Sequence, residues 1–132
     1  MIEAHIHEWL NLVVRWIHMI TGIAWIGASF YFNWVEGQLN RKGPNPPGIA
    51  GDLWAVHGGG FYHSQKYQLA PEKLPEKLHW FKWEAYMTWV SGMALLVIVY
   101  FWQAESYMVD PAIADLSGWQ AIAINLGAML LG

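Results

Sequence analysis

Apolar residues in this chain come in long blocks. The first covers residues 10–35, with Arg15 its single charge. As a helix it reaches about 39 Å, enough to cross a hydrocarbon core of roughly 30 Å with some tilt. The second covers 81–102 and reaches about 33 Å; its 90–101 stretch holds no ionisable group except Tyr100. The third begins near 119 and runs uncharged to 132, too short to cross by itself. It is expected to be an incomplete span, which makes the sequence the N-terminal part of a longer protein; a re-entrant or interfacial segment is the alternative. A cleaved signal peptide is rejected for the first block, because residues 1–9 carry Glu3, Glu8, His5 and His7 and no lysine or arginine.

The connection over 36–80 is different material. Residues 42–48 (KGPNPPG) cannot be helical and read as a turn-rich linker. Residues 53–57 and 61–67 resemble two short strands around the glycines Gly58, Gly59 and Gly60. Pro71 and Pro75 punctuate the run before the second block. Loops of this length are usually functional.

Composition sharpens the picture. Hydrophobic residues make up 55% and charged residues only 13%, against about 25% charged in a soluble domain. That argues against both a soluble globule and a disordered chain. A net charge of −3 without a basic run excludes nucleic acid as a partner. With no cysteine there is no disulfide, no thiolate metal site and no C-x-x-C-H haem attachment. Of the seven basic residues, Arg41, Lys42, Lys66, Lys73, Lys77 and Lys82 lie in the connection and the first residues of the second block (36–82), while the N-terminal flank and the 103–118 loop have none. This places the long loop in the cytoplasm and the N-terminus outside. The expected fold is an all-α integral membrane protein: the N-terminal part of a multi-span helical bundle in the lipid bilayer, with spans at 10–35, 81–102 and an incomplete 119–132, and a long cytoplasmic loop over 36–80 holding a small hairpin.

Several residues are candidates for chemistry. Arg15, His18, Gly22, Trp25, Ser29 and Asn33 recur at helical spacing and form one stripe, which should face protein. Glu84, Thr88, Ser91 and Gly92 form a shorter counterpart in the second span. Arg15 either snorkels to the headgroups or serves a function. His18, a turn deeper, is either a haem or proton-relay ligand or a neutral histidine hydrogen-bonded in the bundle. His57 and His63 flank the glycine turn and His79 precedes the second span. Each imidazole could act as a general base near neutral pH, and the glycine amides could meet a flat or anionic ligand. The alternative is a well-made turn with surface histidines. His5 and His7 read as exposed tail residues.

At these residues the chain resembles a known family. Residues 15–34 (RWIHMITGIAWIGASFYFNW), 53–63 (LWAVHGGGFYH), 78–86 (LHWFKWEAY) and 110–119 (DPAIADLSGW) are similar, in order, to the membrane-bound, cytochrome-c-linked urate oxidases (urate hydroxylases). The resemblance implies a multi-pass bacterial inner-membrane protein with about eight spans and a C-terminal cytochrome c domain carrying haem c. It implies hydroxylation of urate to 5-hydroxyisourate, with water as oxygen source and electrons passed to cytochrome c. This chain lacks the cytochrome, so alone it is expected to be inactive. Urate is a flat anion, which suits His57 or His63 as the base that activates water, Lys82 as an anion contact, and Gly59, Tyr62 and His79 as further substrate contacts. A site on the opposite membrane face from the cytochrome calls for an electron relay, for which His18 is a candidate ligand of a membrane haem b. The alternatives are a haem-binding membrane electron carrier without purine chemistry, and a structural or assembly subunit.

Overall fold

The computed structural model describes every residue from Met1 to Gly132. Helix α1 runs Ile2–Gln38, followed by strands β1 (Ile49–His57) and β2 (Gly60–Tyr67). Helix α2 (Trp83–Leu95) continues without a break into a π-helical turn at Leu96–Phe101, and a short α3 (Ala104–Tyr107) and α4 (Gly118–Leu131) follow. Two helical stretches, Ile2–Gln38 and Trp83–Phe101, are long and apolar enough to cross a membrane; α4 is apolar but shorter.

Helix α1 starts eight residues before the apolar block because nothing in residues 2–9 breaks it. Ile2, Ile6, Trp9, Leu10 and Val13 continue one apolar stripe, and Glu3 in the first turn suits the positive end of the helix dipole. No residue of α1 is buried. Helix α4 has a complete capping box: Ser117 Oγ accepts from Gln120 N, and Gln120 Oε1 accepts from Ser117 N.

The chain divides into two compact units, Met1–Ala24 with Lys82–Gly132, and Trp25–Phe81. In the first, the N-terminal part of α1 meets α2 through Gly92 and the buried Ser91. Its other fixed point is His7, whose Nε2 donates to the Ile98 carbonyl at 2.7 Å while its ring meets Trp102 edge-on at 5.3 Å. His7 is therefore not an exposed tail residue. The π turn carries the Trp102 N–H to Val97 O, and His7 supplies a donor to the neighbouring carbonyl near the helix end.

In the second unit, β1 and β2 pair antiparallel with Trp54 opposite His63, Val56 opposite Phe61 and His57 opposite Gly60. The turn residues Gly58 and Gly59 both take positive φ, 57° and 80°, as the two-residue type I′ hairpin turn requires. Strand β1 begins four residues before Leu53, because its ladder with β2 runs on to Ile49 opposite Tyr67; on its other edge Asn40 N donates to Asp52 O at 2.8 Å and Asp52 N to Asn40 O at 3.3 Å. Gly51 permits this approach, since a Cβ there would sit 3.1 Å from both Asn40 O and Leu39 Cβ. Glu36, just past the apolar block, accepts from Lys66 Nζ at 2.7 Å and from Arg41 at 2.5 Å. These contacts, Lys66 first and then Arg41, hold its carboxyl below the ordinary value.

Candidate functional site: the two faces of the hairpin

Side chains alternate between the faces of a strand, so the register sorts the candidates. One face carries Asp52, Trp54 and Val56 of β1 beside Phe61, His63 and Gln65 of β2; the other carries Leu53, Ala55 and His57 beside Tyr62, Ser64 and Lys66. The two turn-flanking histidines therefore lie on opposite faces. His57, paired with Gly60 at the end of the ladder, is exposed. Tyr62 folds back over Gly60, where its ring atoms lie 3.2–3.3 Å from the place a Cβ would take.

His63 has partners on two sides. Its Nε2 is 2.8 Å from Asp52 Oδ2, and its ring stacks on the Trp54 indole at 4.2 Å with 12° between the planes. A carboxylate oxygen only accepts, so Nε2 carries the hydrogen and the lone pair of a neutral ring sits on Nδ1. Both side chains are partly covered, His63 31% and Asp52 24% exposed, so the pair is accessible without being fully solvated. Trp54, Val56 and Phe61 are exposed on the same face. The combination is an oriented base beside an aromatic surface. The sequence pattern singles out His63 but neither Asp52 nor Trp54.

The other candidates are placed elsewhere. Gly59 serves the turn, with open space where a Cβ would point. His79 packs edge-on against Phe81 at 4.6 Å, and Phe81 against Phe32 of α1 at 5.0 Å. Lys82 belongs to the other unit, its ammonium 5.5 Å from the centroid of the Trp83 ring. Arg15 donates to Asn11 one turn earlier.

His18 sits at the junction of α1 and α2, with Nδ1 2.9 Å from Ser91 Oγ. The single Ser91 hydroxyl proton is directed to its own helix, to Met87 O at 2.7 Å or Thr88 O at 3.1 Å. Ser91 therefore accepts, His18 Nδ1 donates, and Nε2 carries the lone pair. Metal-ligating histidines are held this way, with the second ring nitrogen donating to a fixed acceptor. Were a haem iron held here, His18 Nε2 would be the donor atom this chain supplies. No cluster of three or more metal-binding side chains exists, and without cysteine the chain cannot attach haem c covalently.

A family model described as urate oxidase N-terminal matches residues 4–132, nearly the whole chain. The chain belongs to the urate oxidase N-terminal family. No curated protein matches it, and no solved structure does. Family membership ties the chain to a urate-related function and to oxidoreductase chemistry, with urate as the corresponding substrate. Within this urate oxidase N-terminal chain, the His63 face is where an oriented base and an aromatic surface coincide.

Proposed function

We propose that this chain is the membrane part of an enzyme that hydroxylates urate to 5-hydroxyisourate and passes the electrons to cytochrome c. Urate and one water give 5-hydroxyisourate, two protons and two electrons, and two ferric c-type haems each take one electron. No hydrogen peroxide forms. The observation that carries this reading is the Asp52–His63 pair, in a chain of a urate-related family. It leaves His63 Nδ1 free to take a proton from water or from a ring N–H, beside aromatic side chains that suit a flat anion.

The membrane setting is supported by the two long apolar helices and by the absence of buried residues in α1. The lysine and arginine asymmetry supports an N-terminus outside and a cytoplasmic 36–80 loop in a bacterial inner membrane. A core of roughly 30 Å is too thick for a single electron hop, and His18, through Nε2, would be the residue to hold a membrane haem b. Such a haem supplies one-electron transfer when bound.

Membranes expressing the full gene should reduce cytochrome c on addition of urate and release 5-hydroxyisourate without peroxide. Peroxide formation, or no urate-dependent reduction, contradicts the reading. A second reading, a haem-bearing electron carrier without purine chemistry, is favoured by the oriented His18 ring alone. A Soret band lost on His18→Ala, without any urate response, would select it.

A further inference from the structure

We propose that Asp52 is a positioning residue that fixes which nitrogen of His63 is the base, and that Trp54 fixes the plane in which the base meets its substrate. This rests on the reading of His63 as the base.

An imidazole free in solution exchanges its proton between two nitrogens, and a base of the wrong tautomer presents an N–H where a lone pair is needed. Here Asp52 Oδ2 stands 2.8 Å from Nε2 and can only accept. The hydrogen stays on Nε2 and the lone pair on Nδ1. When Nδ1 takes a proton, the positive charge spreads over a ring that already donates to a carboxylate, and the hydrogen bond to Asp52 becomes charge-assisted. No proton passes to Asp52; the one gained remains on Nδ1.

The carboxylate is itself held from both sides of its backbone. Asp52 exchanges backbone hydrogen bonds with Asn40 on one edge of β1, and pairs with Gln65 on the other. Rotation of the imidazole is restrained separately, by stacking on Trp54 at 4.2 Å with the planes 12° apart. A lone pair on Nδ1 lies in the ring plane. A ring N–H that donates to it therefore approaches along a line roughly parallel to the indole plane. This suits a planar heterocycle with ring N–H groups, the class to which urate belongs, recognised by its edge at the fixed Nδ1 of His63.

The test uses the full-length protein in nanodiscs. Urate-dependent cytochrome c reduction gives kcat and KM, and nitrogen-15 NMR of labelled histidine gives the His63 tautomer. An Asp52→Asn amide can turn its NH₂ toward Nε2 and release the Nε2–H tautomer. Loss of an oriented base typically costs about 10²-fold or more in kcat, and KM should stay within roughly threefold, because uniform binding is untouched. The His63 signals should shift away from the pure Nε2–H form. Asp52→Glu should recover much of the lost kcat, and Trp54→Leu should raise KM more than it lowers kcat. Wild-type kcat in Asp52→Asn, or a loss of kcat with the His63 tautomer unchanged, overturns the proposal. Full turnover in His63→Gln instead overturns the reading beneath it, and the NMR result then still decides whether Asp52 sets the tautomer.

Discussion

Replacing Ser91 with alanine isolates the contact that joins α1 to α2. Ser91 is 4% exposed, and its hydroxyl accepts from His18 Nδ1 at 2.9 Å. Its own bonds to Met87 O and Thr88 O matter less, because those carbonyls belong to the helical ladder of α2. The main loss is the acceptor for His18. An orphaned buried donor costs about 1–3 kcal/mol, whereas an average side-chain hydrogen bond between membrane helices contributes about 0.6 kcal/mol. The other hydroxyl nearby, Thr21 Oγ1, already donates to its own helix, to Ile17 O or His18 O. That places the expected loss between the two figures, at about 1–2 kcal/mol. A second change bears on the same contact: in Gly92→Ala the new Cβ would lie 3.2 Å from His18 Cε1, tighter than ordinary van der Waals contact. The assay is equilibrium unfolding in mixed micelles, arranged as a double-mutant cycle of Ser91→Ala with His18→Leu. A coupling energy of about 1 kcal/mol is expected, since the two residues share one bond. Single variants that add independently, or a Ser91→Ala loss below about 0.3 kcal/mol, would refute the hydrogen-bonded junction.

Three further outcomes follow from the second unit. Glu36 has a folded pKa below its ordinary value, so its bonds to Lys66 and Arg41 stabilise the fold above the usual carboxylate range and fade as pH falls through the lower folded value. Protection of the β2 amides near Lys66, corrected for the intrinsic pH dependence of exchange, should therefore be steady at neutral pH and fall below about pH 4.5, the ordinary value. Glu36→Gln should remove that acid step, and added salt should weaken it because the ion pairs are exposed. At the turn, Gly59→Asn should be tolerated and Gly59→Val should cost about 1–2 kcal/mol, because only the former enters the left-handed region readily; hairpin amide exchange reads both. Unchanged activity in Gly59→Asn would also separate a turn role from the substrate contact suggested by the glycine run.

Much of the hairpin is legible in the residues themselves. Three glycines between β-rich runs announce a tight turn, and a turn on Gly58 and Gly59 pairs Trp54 with His63. Asp52 then falls diagonal to His63, so the pair was within reach of the pattern. The alternation of residues, however, marks a strand only from Leu53. The earlier start rests on the ladder reaching Ile49 opposite Tyr67 across an irregular step before Gly51, which no alternation of residues displays. His18 and Ser91 each stood out as members of polar stripes, but their pairing depends on the relative register of two helices. Nothing near His7 in sequence marks it as fixed, because its partner, the Ile98 carbonyl, lies far along the chain. The π turn at Leu96–Phe101 was hidden in a featureless apolar run, where helix type leaves no periodic trace.

The most direct measurement is urate-dependent cytochrome c reduction by the full-length protein, comparing His63→Gln with His57→Gln. The two residues flank the same turn on opposite faces, so general damage to the hairpin should affect both. Loss of about 10²-fold or more in kcat for His63→Gln, with His57→Gln close to wild type, is the expected result. Wild-type turnover in His63→Gln would contradict the assignment of the base.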